Sequence, residues 1–270
     1  MTTDKEQRIN SNGQRLTMRI SQNSLSFSTF NGRDVLFERY PLKSSISLAA
    51  NLREALRQMP LLQDNYQRVT VLTDSPILLV PTNLFQEEDK ELLYRHTFTG
   101  QEQRMILYSV VTDLNAVAVF SIQKDLRQVI TDRFSQTTFV PLMAPVWRHL
   151  HQKSFTGNHA KLYGYAHDHR LEVFNFSQNR FKFYNAYTVN NADDALYYLL
   201  AVWKQLGMNP QDDEMHLSGD LPEKDQLLEK ARQYVKRVFI NNPAGEFNRL
   251  PISMIEGMPY DMILYYLKGR

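Results

Sequence analysis

The chain has 270 residues, which is enough for one large domain or two domains of ordinary size. Its 31 basic and 29 acidic residues give a net charge of +2, which is too balanced to predict nucleic acid or an anionic membrane as the partner. There are no cysteines, so the sequence excludes disulfide scaffolds, thiolate metal sites and cysteine catalysis, and it favours a reducing compartment.

The sequence shows no targeting or membrane-spanning segment. Met1 to Gln14 is polar and has no apolar run of the kind found in signal peptides. The longest apolar stretch, Val110 to Ile122, is interrupted by polar residues and is shorter than the roughly 18 to 20 residues that cross a bilayer. We therefore expect a cytoplasmic protein without membrane insertion.

Three predicted strands begin the first half. Leu16 to Ile20 alternates between apolar and polar residues, and Ser21-Gln22-Asn23 follows as a turn. Leu25 to Thr29 forms the next strand. Asn31-Gly32 is a strong hairpin signal because both residues tolerate positive φ, and a third strand starts at Val35.

The pattern then changes to a helical period. Ala49, Leu52, Leu56 and Met59 are spaced by three and four residues, with Ser44 and Ser45 as candidate N-caps and Pro60 as the end. The predicted elements that follow are a strand at Arg68–Leu72, a helix at Glu87–His96, a hairpin at Met105–Ile122, a helix at Leu126–Phe134, a strand near Phe139 and a helix at Pro141–His151.

A break at Ser154 to Asn158 separates two halves, predicting lobes of residues 1–153 and 154–270. The second half has predicted strands at Leu162–His167, Leu171–Phe176 and Phe181–Thr188, a helix capped by Asn190 or Asn191 and ended by Gly207, a strand at Met215–Leu217, a helix opened by Pro222, a strand at Phe239–Ile240 and a helix at Tyr260–Leu267.

Both halves follow the same order of elements: three strands, helix, strand, helix, strand. An offset of 146 residues aligns them, so that Ser21 corresponds to His167 and Asp74 to Asp220. The pattern predicts an α/β protein with two duplicated ββαβαβ-type lobes and a ligand cleft between them. This order is the actin-like, ribonuclease H-like arrangement.

Three stretches of the second half carry a resemblance to a known family. They are Lys161–Arg170 (KLYGYAHDHR), Asp193–Gly207 (DDALYYLLAVWKQLG) and Met215–Asp220 (MHLSGD). They resemble a family of uncharacterised Bacteroidetes proteins with an actin-like ATPase fold. The chain is also similar to the assembly-platform members of that superfamily in pilus and secretion machines. The resemblance implies an actin-like ATPase fold and no particular activity.

The resemblance also points to candidate nucleotide loops. Members of this superfamily bind nucleotide with two hairpin loops and one glycine-bearing turn, and the first loop usually reads Asp-x-Gly. The corresponding positions are Ser21, Gln22 and Asn23 in the first loop, His167, Asp168 and His169 in the second loop, and Ser218, Gly219 and Asp220 in the turn. The first loop lacks both Asp and Gly, and the second keeps only Asp168, so these loops predict a degenerate site.

The leading functional hypothesis is therefore a non-enzymatic scaffold or protein-interaction protein, with a protein partner and no cofactor. The alternative is an atypical ATP-binding or ATP-hydrolysing protein that uses magnesium, with Asp168, Ser218, Gly219 and Asp220 contacting the nucleotide.

Other chemistry has weaker support in the sequence. His149 and His151 are two apart on a predicted helix, where side chains diverge, and His167 and His169 lack a third metal ligand. A ribonuclease H-type nuclease needs several converging carboxylates, for which the sequence offers only Glu172, Asp113 and Asp220. Ser218 lacks the Gly-x-Ser-x-Gly context of a hydrolase.

The tyrosines of the second half and the segment Met254 to Leu267 fit either of two roles, packing within the fold or a protein-binding face.

Overall fold

The computed structural model describes residues 15–30, 34–177 and 180–268, so the predicted Asn31-Gly32 turn lies outside the described residues. The elements up to residue 141 are β1 Arg15–Ile20, β2 Leu25–Phe30, β3 Val35–Tyr40, α1 Leu48–Gln58, β4 Arg68–Thr73, β5 Leu78–Pro81, α2 Lys90–Thr97, β6 Arg104–Val111, β7 Ala116–Gln123, α3 Lys124–Arg133 and β8 Thr137–Pro141. The later elements are α4 Ala144–Ser154, β9 Lys161–His167, β10 Arg170–Ser177, β11 Arg180–Thr188, α5 Ala192–Gln205, β12 Glu214–Gly219, α6 Lys224–Tyr234, β13 Arg237–Ile240, α7 Pro243–Glu246 and α8 Tyr260–Lys268.

Contacts between Cα atoms divide the described chain into two compact units. Unit 1 contains the described residues up to 110 together with 117–142, and unit 2 contains 111–116 and the described residues from 143 onwards. Within unit 2, α4 packs against α8. The lobe boundary predicted between residues 153 and 154 falls just before the last residue of α4, whereas the contacts group the whole of α4 with unit 2.

The main sheet of unit 1 has the strand order β3-β2-β1-β4-β8. The pairs β1–β2 and β2–β3 are antiparallel, whereas β4 pairs in parallel with both β1 and β8. Leu16, Met18 and Ile20 of β1 share one face of the sheet and join the same buried cluster as Ala49 and Leu52 of α1. The alternation read from the sequence therefore identifies the side of the sheet that α1 covers.

Helix α1 begins one turn later than its predicted caps suggest. Its N-cap is Ser47, whose side chain accepts a hydrogen bond from the backbone N–H of Ala50 at 3.2 Å. The prediction of Ser44 or Ser45 was wrong because three serines stand close together and only the backbone conformation selects the cap. The helix ends before Pro60, as predicted.

Unit 1 also contains a small sheet that interrupts the shared order of elements. It lies between β4 and α3 in the sequence and has the strand order β5-β7-β6, with α2 between β5 and β6 along the chain. The hairpin β6–β7 was predicted. Strand β5 was missed, because a four-residue strand between two prolines has too few residues to show a period.

The sheet of unit 2 has the strand order β11-β10-β9-β12-β13, with β9–β10 and β10–β11 antiparallel and β12 parallel to β9 and β13. One face carries Leu162, Leu171 and Leu217, which pack with Leu199 of α5 and Leu227 of α6 in one buried cluster. The opposite face is rich in aromatic residues and is covered by side chains of α4 and α8.

That second face determines what surrounds the candidate loops of unit 2. The Trp147 ring of α4 makes edge contacts with Phe181 and Tyr184 of β11, at centroid distances of 5.2 and 5.1 Å. The Tyr165 ring of β9 lies 6.0 Å from the Tyr260 ring of α8. Most of the tyrosine cluster seen in the sequence thus contributes packing, as one of the two readings predicted, although Tyr197 and Tyr234 are exposed.

The predicted ends of α5 agree with the structure, whereas the predicted start of α6 does not. Asn191 is the N-cap of α5, and Gly207 follows the helix with a φ of +64°, as expected of a C-terminal glycine. Helix α6, however, begins at Lys224 after Glu223 in left-handed conformation, so the prediction that Pro222 opens it was wrong by two residues. Pro222 belongs to the turn that enters the helix.

The two main sheets share one strand order, and the paired residues of β1 and β4 lie 146 residues before those of β9 and β12. Ile20 of β1 and Ala166 of β9 are 146 residues apart, as are Asp74 and Asp220. The backbone N–H of Asp74 donates to the carbonyl of Ile20 at 2.9 Å, and that of Asp220 donates to the carbonyl of Ala166 at 2.8 Å. The turn after β4 therefore lies beside the end of β1, and the turn after β12 lies beside the end of β9.

The helix cap gives a direct check on the start of α1. We expect Ser47→Ala to lower the free energy of unfolding by about 1 kcal/mol, because it leaves a terminal N–H without its side-chain acceptor. The matched control is Ser44→Ala, an exposed serine outside the helix, which should change stability by less than about 0.5 kcal/mol. Urea unfolding of both variants measures the difference, and equal effects would contradict the assignment.

Candidate functional site

The candidate residues fall into two groups, one in each unit. Ser21, Gln22 and Asn23 form the β1–β2 turn of unit 1. The groups His167–His169 and Ser218–Asp220 both belong to unit 2, where Gly219 pairs with Ala166 across strands β12 and β9. Parallel pairing therefore brings the second loop and the glycine turn together at one end of the sheet.

The first loop is closed by hydroxyl groups instead of by glycine. The Ser21 backbone N–H donates to the Ser24 carbonyl at 3.0 Å, and the two hydroxyl oxygens lie 2.8 Å apart. Arg19, which is buried, donates from Nη1 to the Ser24 hydroxyl at 2.9 Å. Gln22 and Asn23 are exposed at the tip. The loop supplies no carboxylate for a metal and no glycine for close approach of a phosphate.

The second loop is a two-residue hairpin turn. Asp168 and His169 have φ angles of 45° and 62°, which are the two left-handed positions of a type I′ turn. Asparagine and glycine usually occupy such positions, so Asp-His here carries backbone strain. His169 is exposed at the tip, whereas His167 is buried in β9.

A buried carboxylate lies directly behind this turn. Glu172 of β10 is 1% exposed, and its Oε1 accepts from Arg170 Nε and Nη2 at 3.2 and 3.1 Å. Its Oε2 accepts from the Tyr184 hydroxyl at 2.9 Å. Burial raises the pKa of Glu172, but the adjacent His167 imidazole and the Arg170 charge lower it more, so that it lies below its ordinary value.

The imidazole of His167 faces a carboxylate on each side. Its Nδ1 lies 3.4 Å from Asp168 Oδ2, and its Nε2 lies 3.4 Å from Glu172 Oε1. The ring also stacks on Tyr165, with the centroids 5.2 Å apart. Neither ring nitrogen is directed away from these carboxylates, so this arrangement supports the hairpin better than it supports proton transfer to a substrate.

The glycine turn is filled from within unit 2. Gly219 has a φ of +83°, and a Cβ placed there would lie 2.0 Å from the Ala166 carbonyl oxygen and 2.7 Å from the Tyr165 ring. The Ser218 hydroxyl is buried and donates to the Gly164 carbonyl at 3.3 Å. Gly219 is therefore required by the close approach of β9, which explains this glycine without a ligand.

The C-terminal segment supports the hairpin through two consecutive residues of α8. The Tyr165 hydroxyl donates to Asp261 Oδ2 at 2.6 Å, and Asp261 is fully buried. The hydroxyl of Tyr260 donates to Glu246 Oε2 at 2.9 Å. The Tyr165 ring, which fills the glycine turn, is thus fixed by α8.

Glu246 is the centre of a second charged group in unit 2. Its Oε1 pairs with His149 Nε2 and with Lys153 Nζ of α4, and its side chain is 7% exposed. Burial raises the pKa of Glu246, but the contacts with His149 and Lys153 outweigh burial and hold it at about 2. This carboxylate links the short helix α7 to α4 and, through Tyr260, to α8.

Several residues of this site had no signal in the sequence. Tyr184, Glu246 and Asp261 lie well away from the loops along the chain, and although Tyr165 lies just before the second loop, nothing in the spacing of these residues indicates that they meet. Glu172 was noted only as a possible nuclease carboxylate. The helical histidines diverge as predicted, since His149 binds Glu246 whereas the His151 ring contacts Phe155 and Phe176.

The three carboxylates considered for a nuclease have different surroundings. Asp113 Oδ2 lies 3.4 Å from Arg148 Nε, Glu172 is bound by Arg170, and Asp220 is exposed after β12. Each therefore has its own surroundings within unit 2, and they do not form one carboxylate cluster there.

Two mixed sheets with this strand order, each ending in a hairpin turn beside a second turn, define a protein with the actin-like ATPase fold. The chain belongs to the family described as "Protein of unknown function (DUF3822)", whose profile matches residues 3–238. Among curated proteins, none matches the sequence significantly.

Two solved structures illustrate the similarity. A protein of Bacteroides thetaiotaomicron VPI-5482, described as having an actin-like ATPase fold and unknown function, is 29% identical with a TM-score of 0.80, over 87% of this chain and 93% of that one. A chain of the PilM–PilN type IV pilus biogenesis complex is 10% identical with a TM-score of 0.58, over 93% of this chain and 96% of that one. The second likeness concerns the fold alone.

None of the helices in the described ranges combines the length and the apolar composition that a bilayer-spanning helix needs.

The crowding at Gly219 predicts a large cost for adding one methyl group. Gly219→Ala should lower the free energy of unfolding by about 3 kcal/mol or more, because left-handed φ and a clash with backbone act together. Gly207→Ala is the matched control, since Gly207 also has positive φ but a Cβ there would have no neighbour within 4 Å. It should cost only about 1 kcal/mol. Equal losses in chemical denaturation would disprove the close approach of β9.

The low pKa of Glu246 predicts a pH dependence of stability. A carboxylate with a pKa lowered on folding stabilises the protein fully above its unfolded-state value of 4.5, and this contribution is lost as the pH falls towards about 2. We expect Glu246→Gln to cost up to about 3 kcal/mol near neutral pH and progressively less below about pH 4.5.

The control for this measurement is Glu256→Gln, which changes an exposed glutamate of the same C-terminal segment. Its unfolding free energy should follow that of the wild type at every pH. If the Glu246→Gln curve stays parallel to the wild-type curve between pH 7 and pH 3, the ion pairs at Glu246 do not contribute as described.

Proposed function

We propose that this protein is a non-enzymatic scaffold or protein-interaction protein that keeps the actin-like fold with a degenerate nucleotide site. The observation that carries the proposal is the internal pairing of the second hairpin. The Arg170 charge and the His167 imidazole, which would attract a phosphate there, are held next to the buried Glu172 carboxylate. The hairpin satisfies its own charges and needs no ligand.

Electrostatics makes a phosphate unfavourable at this turn. A bound phosphate would compete with Glu172 for Arg170, and a buried carboxylate that loses its partner is costly. Asp168 adds a further carboxylate at the turn, with its Oδ2 beside His167. A divalent cation would reverse this repulsion, so the test of nucleotide binding includes magnesium.

The glycine turn supports the same proposal. In a nucleotide-binding turn, a glycine leaves room for the ligand beside the backbone. At Gly219 the direction of the missing Cβ is occupied by the Ala166 carbonyl and the Tyr165 ring. The glycine is retained for packing of β9 against β12, so its presence does not require a nucleotide.

A protein partner is part of the proposal. A solved chain of the same fold is described as part of the PilM–PilN type IV pilus biogenesis complex, and this supports a role in protein assembly for the fold. We further propose a cytoplasmic location and an internal duplication of the two units. The duplication is supported by their common strand order and by the offset of 146 residues between corresponding positions from β1 to β4 and from β9 to β12.

Nucleotide binding provides the test. Thermal unfolding with millimolar ATP or ADP and magnesium should show no change in Tm, whereas a ligand at 100 times its Kd would add about 2.7 kcal/mol and raise Tm by about 5 °C or more. The protein should also release no phosphate from ATP above the level of the buffer.

The control variant for that experiment is Asp168→Asn, which removes the one loop carboxylate at nearly constant volume. Gly219 is unsuitable because its substitution perturbs the fold. A saturable Tm shift that disappears in Asp168→Asn would reject the degenerate site and favour the ATP-binding alternative with Ser218, Gly219 and Asp220 at the ligand. A shift that survives in the variant would indicate nucleotide bound elsewhere.

A further inference from the structure

Exposed apolar side chains are concentrated in the small sheet of unit 1. Five of the twelve large hydrophobic residues that are exposed in the described chain lie between residues 84 and 110: Leu84 at 67%, Leu92 at 71%, Leu93 at 37%, Tyr108 at 36% and Val110 at 49%. This segment interrupts the order of elements that the two units share. We call these five residues the insert surface.

Two contacts place Tyr108 of the insert surface beside its neighbours. The Phe85 ring, next to Leu84 in the chain, lies 5.1 Å from the Tyr108 ring, and Val110 follows two residues later on the same face of β6. Lys90 Nζ lies 5.8 Å from the Tyr108 ring centroid, and Leu93 is one helical turn after Lys90. Phe85 and Tyr108 are thus next to Lys90, and Leu92 and Leu93 are exposed on the helix that begins at Lys90; we call these neighbouring apolar groups the patch.

The patch stands on a rigid base. Tyr94 of α2 is fully buried, and its hydroxyl donates to the Pro76 carbonyl at 2.8 Å and lies 3.0 Å from the Ser121 hydroxyl. Arg104 Nε donates to the same Ser121 hydroxyl at 2.7 Å. This network fixes α2 on the small sheet, so Leu92 and Leu93 on its outer side are held exposed without freedom to fold inward.

The border of the patch is acidic. Glu87, Glu88, Asp89 and Glu91 precede or begin α2. Lys90 and Arg95 are already paired, with Glu87 at 3.3 Å and Glu91 at 3.9 Å. The surface therefore has excess negative charge beside exposed leucines, which disfavours an anionic membrane and favours a positively charged partner.

We propose that the insert surface binds a basic amphipathic segment of a partner protein, whose apolar side chains cover Leu92 and Leu93 and whose lysines or arginines face Glu88 and Asp89. Such a segment buries its apolar residues on the patch and places its charges on the acidic border. The proposal rests on the scaffold function proposed above and names the surface and the chemistry of the partner.

The test uses a defined probe. A fluorescent helical peptide of about 16 residues, with leucines on one face and lysines on the other, is titrated with the full chain and followed by anisotropy. We expect saturable binding that weakens as salt rises, and a Leu92→Ser/Leu93→Ser variant that binds about tenfold or more weakly. The corresponding peptide with glutamates in place of lysines should not bind.

Matched variants separate this surface from general stickiness. Leu36→Ser/Leu250→Ser removes two exposed leucines elsewhere and should bind the lysine peptide like the wild type. Glu88→Gln/Asp89→Asn, which removes both charges and keeps an N-cap residue at position 89, should weaken binding of the lysine peptide and reduce its dependence on salt. Because all these side chains are exposed, thermal unfolding of the variants should match the wild type, which excludes misfolding as the cause.

Several outcomes would overturn the proposal. They are no binding of the lysine peptide to the wild type, equal binding to Leu92→Ser/Leu93→Ser, or equal binding of the glutamate peptide. Binding of phosphatidylserine vesicles that depends on Leu92 would favour a membrane instead, and a dimer lost in the same variant would favour a second copy. These results would leave the scaffold function standing, because only nucleotide binding or hydrolysis tests that separately.

Discussion

The burial of one carboxylate, Glu172, constrains the surroundings of the candidate site. A charged group on a central strand must be paired, and here Arg170, Tyr184 and His167 surround it. Each of these partners thus contacts a carboxylate within the hairpin. The turn at Asp168 and His169 can then accept left-handed φ angles without glycine, because the pairs on both strands hold it closed. A loop built in this way is a stable corner of the sheet, and it has little capacity left for a phosphate.

The same corner is fixed from the C-terminal side of the chain. Tyr165 fills the space beside Gly219 and donates to Asp261, while Tyr260 reaches Glu246 and through it α4. Aromatic packing and two buried carboxylates thus connect the hairpin, the glycine turn and α8 within unit 2. In the degenerate site that we propose, internal packing takes the place of ligand contacts, because side chains that satisfy each other have no need of a bound molecule.

The main sheet of unit 1 has the same strand order, but its hairpin turn and its inserted segment differ from those of unit 2. Its hairpin turn is closed by Ser21 and Ser24 with Arg19, and its distinctive part is the small sheet that carries α2. A fold whose central turns are self-satisfied can still present new surfaces on segments inserted between its common elements. The exposed leucines of α2, held by the buried Tyr94, are such a surface, and they connect the proposed scaffold function to a specific place on the molecule.

The sequence by itself determined the elements whose pattern is local. The alternation in β1 and the three-and-four spacing in α1 fixed which faces are buried, and the 146-residue offset predicted the common strand order. Only the tertiary structure decided which of three serines caps α1, and that Gly219 serves the approach of β9. It alone brought Tyr165 to Asp261 and Glu246 to His149, because partners some hundred residues apart leave no period or motif in the chain. Burial and pairing are properties of the packed molecule, so the contacts of His167, Glu172 and Gly219 could be found only from the tertiary structure.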